Sequence, residues 1–204
     1  MKLRNRGLRR TVILGLLVLG MAPVIGQTRS DWATFNERRL EINRRGMVVL
    51  GSWAAGNIVT GLALAGNSDR EMRAFHRMNA GWNGVNLAIA AFGYRQARRE
   101  DPSQGPYETV RAQSGIENLL LLNAGLDLAW MAGGAWMIER GIRDGGDDGA
   151  RLRGFGRSIV LQGAFLFVFD AALFAIHRRH GTRLEGLLPA LDPIGGRIGL
   201  TLRW

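Results

Sequence analysis

The stretch FHRMNAGWNGVNLAIAAFGY, residues 75–94, resembles a membrane-spanning helix, but it carries polar amides where such a helix is normally apolar. Asn79, Asn83 and Asn86 recur three and four residues apart, with Trp82 among them. Residues at that spacing share one face of a helix. We interpret this face as one wall of a polar layer buried between neighbouring helices.

Three further apolar segments indicate what those neighbours are. Spans one to four cover residues 47–66, 78–94, 119–138 and 158–176. A bilayer is crossed by about 20 apolar residues, with a range of roughly 17–25. A water-soluble bundle needs a polar outer face on each helix, and these segments lack one. The sequence therefore predicts an all-α fold, a four-helix transmembrane bundle.

The segment before span one is typical of a targeting signal. A basic head precedes an apolar core at residues 12–19 and small residues that end at Gly26. We predict a secretory signal peptide over residues 1–26, with an uncleaved anchor helix as the alternative. A juxtamembrane segment, residues 27–46, follows, with a short interfacial helix that begins at Ser30.

The remaining boundaries come from polar segments and from small residues. The membrane domain covers residues 47–177, with polar connectors at 67–77, 95–118 and 139–157. The C-terminal tail, residues 178–204, ends in an alternating pattern that predicts a short extended segment. Small residues repeat every four positions on three spans, which predicts packing faces. These faces are Ser52, Gly56 and Thr60; Ala80, Gly84 and Ala88; and Gly125, Ala129 and Gly133.

Each span also places a polar side chain near its centre, which predicts a shared polar layer. The candidate binding residues are Asn57, Asn83, Asn86, Asn123, Asp127 and Asp170. The supporting residues are Trp53, Trp82, Trp130, Asn79 and Gln162. A lone aspartate at the bilayer centre costs roughly 2.5–3.5 kcal/mol, and no Lys or Arg lies within the spans. We expect both aspartates to face inward, to hydrogen-bond with the asparagines, and to hold at least one proton between them.

Two hypotheses about function follow. The layer either binds a small ligand, an ion or a proton in a transport-related module, or it only fixes helix packing in a structural or assembly subunit, at about 0.6 kcal/mol per contact. An enzyme ranks below both hypotheses, because the sequence contains no catalytic motif. The chain has no cysteine. His76 and His177 are expected at opposite ends of the bundle, so they cannot jointly ligate a haem, and we predict no cofactor and no metal.

The charge of +10 does not indicate nucleic-acid binding, because the arginines flank the apolar spans and form no continuous basic face. Arginine and histidine at span ends, as in His177 to His180, are typical of anchoring at a membrane interface. The expected partners are therefore the lipid bilayer and either a second copy of the chain or another membrane protein.

Three stretches carry a resemblance. They are FHRMNAGWNGVNLAIAAFGY, LLLLNAGLDLAWMAGG and GFGRSIVLQGAFLFVFDAALFAIH. Together they resemble an uncharacterised family of small bacterial multi-pass membrane proteins, over about residues 45–177. The resemblance implies a location in a bacterial membrane, which we predict to be the inner membrane, and it implies no activity, substrate or catalytic residue.

Overall fold

The chain is helical throughout the part that the structure describes. The structure is a computed structural model, which describes the backbone of residues 7–188 and the side chains of residues 31–188. The helices are α1 (Gly7–Ala65), α2 (Arg70–Arg99), α3 (Pro106–Asp144), α4 (Gly146–Gly181) and the one-turn α5 (Leu184–Leu187). No strand occurs in the described backbone. The predicted all-α fold with four principal helices is confirmed.

The helix ends follow from local chemistry. At the start of α2, the Asp69 carboxylate accepts a hydrogen bond of 2.8 Å from the Met72 N–H, which satisfies one of the free amides of the first turn. Pro106 opens α3, where its missing N–H costs nothing. Between α3 and α4 the chain reverses at Gly145 and Gly146, whose φ angles of 65° and 54° favour glycine.

The helices extend well beyond the predicted spans. Residues 70–77, 106–118 and 146–157 are helical, although the sequence predicts connectors there. The predicted interfacial helix is continuous with span one inside α1, so Ser30 caps no helix. Arg, Glu and Gln are good helix formers, and they prolong each helix past its apolar part.

The two ends of the chain lie partly outside the described residues. Residues 178–181 complete α4, and α5 follows them. The predicted extended segment at the C-terminus lies beyond residue 188, and the side chains of the predicted signal peptide also lie outside the described residues. Cleavage after Gly26 stays a prediction.

The helices pack as three close pairs. Helix α3 lies along α4, α1 lies along α2, and α2 also packs on α4, whereas α2 and α3 make few direct contacts. Glycines allow the closest approach of α3 and α4. A Cβ atom added at Gly134 would lie 2.7 Å from the carbonyl oxygen of Gly156, and one at Gly141 would lie 2.5 Å from that of Gly149. Such contact between backbones requires residues without side chains.

The predicted small-residue faces are wrong except at Ala80, which is half-buried and lies with its Cβ 3.0 Å from a Cβ added at Gly61. Ser52, Gly56, Gly84, Gly125 and Gly133 all point outward, and a Cβ at any of these four glycines would meet nothing within 4 Å. Successive residues of a helix are rotated by about 100°, so the exposed Gly133 and the buried Gly134 face different surroundings. The four-residue spacing is present on several faces and does not tell which one turns inward.

Polarity is inverted relative to a water-soluble bundle. Asn83 and Gln162 are fully buried at 0% exposure, whereas Leu62 and Phe92 are 70% and 75% exposed. Among the described residues, three helical stretches are long and apolar enough to cross a membrane: Asp31–Ala65, Pro106–Asp144 and Gly146–Leu187. Helix α2 is not among them, because its inner face is built from asparagine.

We predict that Gly134→Ala destabilises the protein by about 1–3 kcal/mol, because the new methyl group pushes α3 away from α4. The neighbouring Gly133→Ala is the matched control. It should be neutral or stabilising by up to about 1 kcal/mol through helix propensity. Thermal unfolding of the detergent-solubilised variants measures both, and equal midpoints would contradict the glycine contact.

Candidate functional site

The amide side chain of Asn79 joins three helices. Its Nδ2 donates to Asn57 Oδ1 on α1 at 2.8 Å, and its Oδ1 accepts from Gln162 Nε2 on α4. Asn83 Nδ2 donates to the Asn79 backbone oxygen at 2.8 Å. Gln162 Oε1 in turn accepts from the indole of Trp53 at 3.0 Å. We call these five residues the amide cluster.

Most donors and acceptors of the amide cluster are used within it, and Asn83 Oδ1 is its one buried side-chain atom without a hydrogen-bond partner among the described residues. Asn57 Nδ2 donates to the Trp53 backbone oxygen at 2.9 Å, which uses a further donor. None of the five residues lines the main cavity of the bundle. The single polar layer that the sequence predicts is therefore divided into two groups, and this group fastens α1, α2 and α4 together.

The second group is a pair of carboxyl groups. Asp127 on α3 and Asp170 on α4 are only 5% and 6% exposed, and they lie within hydrogen-bonding distance of each other. An ionised carboxylate can only accept, so a hydrogen bond between the two requires a shared proton. No hydrogen bond joins either carboxyl to an asparagine among the described side chains, contrary to our expectation from the sequence.

A cavity of about 480 Å³ lies beside this carboxyl pair. All four principal helices line it, and along α2 it extends from Trp82 to Glu100, roughly 27 Å of helix at 1.5 Å per residue. Its side faces the gap between α2 and α3, where Val85, Ile89 and Leu119 are exposed. The carboxyl pair is near one end of the cavity and Glu100 is at the other.

Polar and aromatic groups converge where the carboxyl pair meets the cavity. Asp127 Oδ2 and Asn86 Nδ2 are buried and have no hydrogen-bond partner among the described residues. The rings of Trp82 and Trp130 meet edge to face across the α2–α3 gap, with centroids 5.1 Å apart at 84°. Asn123 also lines the cavity. Unpartnered buried polar atoms in a roomy site indicate that something else completes their hydrogen bonds.

A further polar cluster, which we did not predict from the sequence, lies at the end of the bundle that carries the α2–α3 loop. It contains Asn36, Arg39, Glu100, Thr109, Gln113, Glu117, His177 and His180, and all of them except Glu100 are buried. Asn36 Nδ2 donates to Thr109 Oγ1 at 2.8 Å and to the Pro102 carbonyl at 3.1 Å, and Arg39 pairs with Glu100 at 2.6 Å. These contacts tie α1 to the loop and to α3.

The sequence suggested that the two histidines of this end cluster lie at an exposed membrane interface. In the structure both are buried. His177 is fully buried, and His180 stacks on Phe35 with ring centroids 4.1 Å apart. Gln113 Nε2 donates to the His177 carbonyl at 2.8 Å. The spacings of three and four that join His177 to His180 and Gln113 to Glu117 were a helical-face signal that the flanking arginines obscured.

The sequence predicts that His76 and His177 lie at opposite ends of the bundle and that no metal is bound. His76 lies against Gly61 near the end of α1, at the opposite end of the bundle from His177. Among the described residues, no group of three acidic or histidine side chains could hold a metal ion.

Comparison with known proteins gives one match. The model of a family of unknown function (DUF6992) covers residues 49–171. The chain belongs to this family. The DUF6992 region contains the whole amide cluster and the carboxyl pair, whereas Asn36, Arg39 and His177 of the end cluster lie outside it. No curated protein matches the chain, and no solved structure matches it.

We predict that Asn79→Leu lowers the free energy of unfolding by about 2 kcal/mol, since the side-chain contacts with Asn57, Gln162 and Asn83 Nδ2 are lost at about 0.6 kcal/mol each. Asn86→Leu is the matched control on the same helix face. It removes an unpartnered buried amide and should leave stability unchanged or raised. Unfolding in mixed micelles measures the stability of both variants. An equal loss of unfolding free energy in both would contradict the assignment of the amide cluster.

We also predict that infrared spectroscopy at neutral pH shows the C=O stretching band of a protonated carboxyl group. The band should vanish in the double variant D127N/D170N, because these two groups share the proton. It should persist in D147N/D148N, which makes the same two substitutions at exposed positions. Absence of the band in the unmodified protein, or its survival in D127N/D170N, would contradict the shared proton.

Proposed function

We propose that this DUF6992 protein is a multi-pass membrane protein whose bundle binds a small ligand in the cavity beside Asp127 and Asp170, in a binding or transport-related role. One observation carries this proposal. A buried carboxyl pair, with an unpartnered oxygen of Asp127 and an unpartnered amide of Asn86, faces a cavity of about 480 Å³.

The distribution of polarity supports the membrane assignment for all four principal helices. Helix α2 packs against α1 and α4, which both contain stretches long and apolar enough to cross a membrane. Its outward residues Val85, Ile89 and Phe92 are apolar and exposed, and its asparagines are buried. A helix with a polar inner face and an apolar outer face suits a bilayer. The bacterial inner membrane stays the predicted location.

The cost of the carboxyl pair supports a role beyond packing. Charged groups within membrane helices are expensive, roughly 2.5–3.5 kcal/mol each at the bilayer centre, and they typically mark ligand or ion sites. The amide cluster already fastens three helices, and glycine contacts fasten the fourth. Small-molecule cavities typically measure about 300–1,000 Å³. The observed cavity falls within that range.

The amide cluster, whose side chains bond mainly to one another, supports the alternative, a structural or assembly subunit. In that case the carboxyl pair is also a packing contact, and D127N/D170N should unfold as readily as Asn79→Leu. If the pair serves a ligand instead, the free energy of unfolding of D127N/D170N should lie within about 0.5 kcal/mol of that of the unmodified protein.

Native mass spectrometry of the detergent-extracted protein tests ligand binding. We expect a retained non-covalent ligand on the unmodified protein and its loss from D127N/D170N. Leu126→Trp narrows the cavity mouth and should also lose the ligand, because Leu126 lines the cavity. Leu122→Trp is the matched control, since Leu122 is an exposed residue of the same helix that does not line the cavity.

Two results would contradict the proposed function. One is an unmodified protein that carries no bound species. The other is a species retained equally by the unmodified protein, D127N/D170N and Leu126→Trp, because its binding then depends on neither the carboxyl pair nor the cavity.

A further inference from the structure

We propose that the ligand of this cavity is a hydrophobic organic cation, held by the carboxyl pair and by the rings of Trp82 and Trp130. This inference rests on the proposed function and names its ligand class. The charge of the cavity, its aromatic residues, its size and the direction of its opening support this ligand class.

The charge of the cavity contrasts with the charge of the chain. The chain carries a formal net charge of +10. Among the described residues that line the cavity, three are acidic, namely Glu100, Asp127 and Asp170, and none is basic. Of these three acidic residues, Arg39 contacts only Glu100, at the end of the cavity far from the carboxyl pair. The carboxyl pair therefore has no protein cation as a partner, and a bound cation would supply the missing charge.

Aromatic rings stand beside the carboxyl pair. Trp130 follows Asp127 by one helical turn, Trp82 precedes Asn86 by one turn, and all four residues line the cavity. A tryptophan face attracts a cation through its quadrupole, and this attraction grows when the cation is desolvated. An anion would meet the two acids and find no basic side chain in the cavity.

An inorganic cation fits the site poorly. Hard metal ions such as Ca²⁺ require about six to eight oxygen ligands. The carboxyl pair offers at most four oxygens, and no group of three metal-binding side chains exists among the described residues. A cavity of about 480 Å³ lined mostly by apolar residues instead suits an organic molecule with an apolar body.

The cavity opens toward the apolar outer surface of the bundle. Its mouth lies between α2 and α3, where Val85, Ile89, Leu119 and Leu126 are each at least half exposed. In a bilayer these residues contact lipid, so a ligand would enter from the hydrocarbon layer. The buried amide of Asn86 supplies a hydrogen-bond donor next to the pair.

Binding should be coupled to the proton that the pair shares. The titratable groups that line the cavity are Asp127 on α3, Asp170 on α4 and Glu100 at the end of α2, and the lining residues of α1 are uncharged. Glu100 is roughly 21 Å along α2 from Asn86 and pairs with Arg39. When both carboxyls of the pair are protonated, a bound monocation displaces one proton, which leaves to solvent.

The test uses N-methyl-4-phenylpyridinium, a permanent cation, and 4-methylbiphenyl, its neutral isostere. Equilibrium dialysis against the full chain in lipid nanodiscs, with empty nanodiscs as the blank, measures the affinity of each. We expect the cation to bind at least tenfold more tightly than the isostere. D127N/D170N should weaken binding of the cation at least tenfold, and D147N/D148N, which makes the same two substitutions at exposed positions, should not.

Acidification adds a second readout. One proton exchanges for one cation. The affinity for the pyridinium should therefore decrease as the pH is lowered, by up to about tenfold per pH unit once both carboxyls are protonated. A cation affinity that is independent of pH between 5 and 8 would contradict the exchange. The isostere should show no dependence.

The outcomes separate the two proposals. If both probes bind equally and Leu126→Trp weakens both, the cavity binds ligands but the cationic class is wrong. If neither probe binds, and native mass spectrometry finds no species that depends on Leu126 or the carboxyl pair, both the cationic class and the proposed function are wrong. If the cation binds D127N/D170N as tightly as it binds the unmodified protein, the proposed site is wrong.

Discussion

The hydrogen bonds of the Asn79 side chain determine the arrangement of the bundle. Where the surroundings are apolar, the hydrophobic effect does not tell a helix which face to bury, so polar groups that need partners do so. Asn79 turns α2 toward Asn57 on α1 and Gln162 on α4. Helix α3 is held mainly by glycine contacts with α4, and no comparable contact links it to α2. The cavity between α2 and α3 is the consequence.

Two kinds of polar group thus serve two purposes. Neutral amides that satisfy one another cost little to bury and hold helices in register. The carboxyl pair behaves differently, because one of its oxygens has no partner and no basic side chain approaches it from the cavity. The two tryptophans meet across the gap and keep α2 and α3 apart at that level. Packing and the proposed ligand binding therefore involve neighbouring but separate residues.

Much of the site was predictable, because helical spacing alone puts Asn79, Asn83 and Asn86 on one face. The division of the polar layer was not, since hydrogen-bond partners depend on how the helices are rotated. Gly133 and Gly134 show the same limit, because adjacent glycines differ only in the direction they face. The buried His177 was also missed, because flanking arginines make an interior position look like a surface one.

The sequence by itself determined that the protein is built from four long helices and that polar residues of these helices lie inside. It also determined that Asp127 and Asp170 lie near the centres of their apolar spans. Apolar length and helical period are local properties, so they can be read along the chain. Only the tertiary structure decided that the two aspartates meet each other and face a cavity. The reason is that helix rotation and pairing depend on contacts between residues far apart in sequence, such as Asn79 with Gln162 and Gly134 with Gly156.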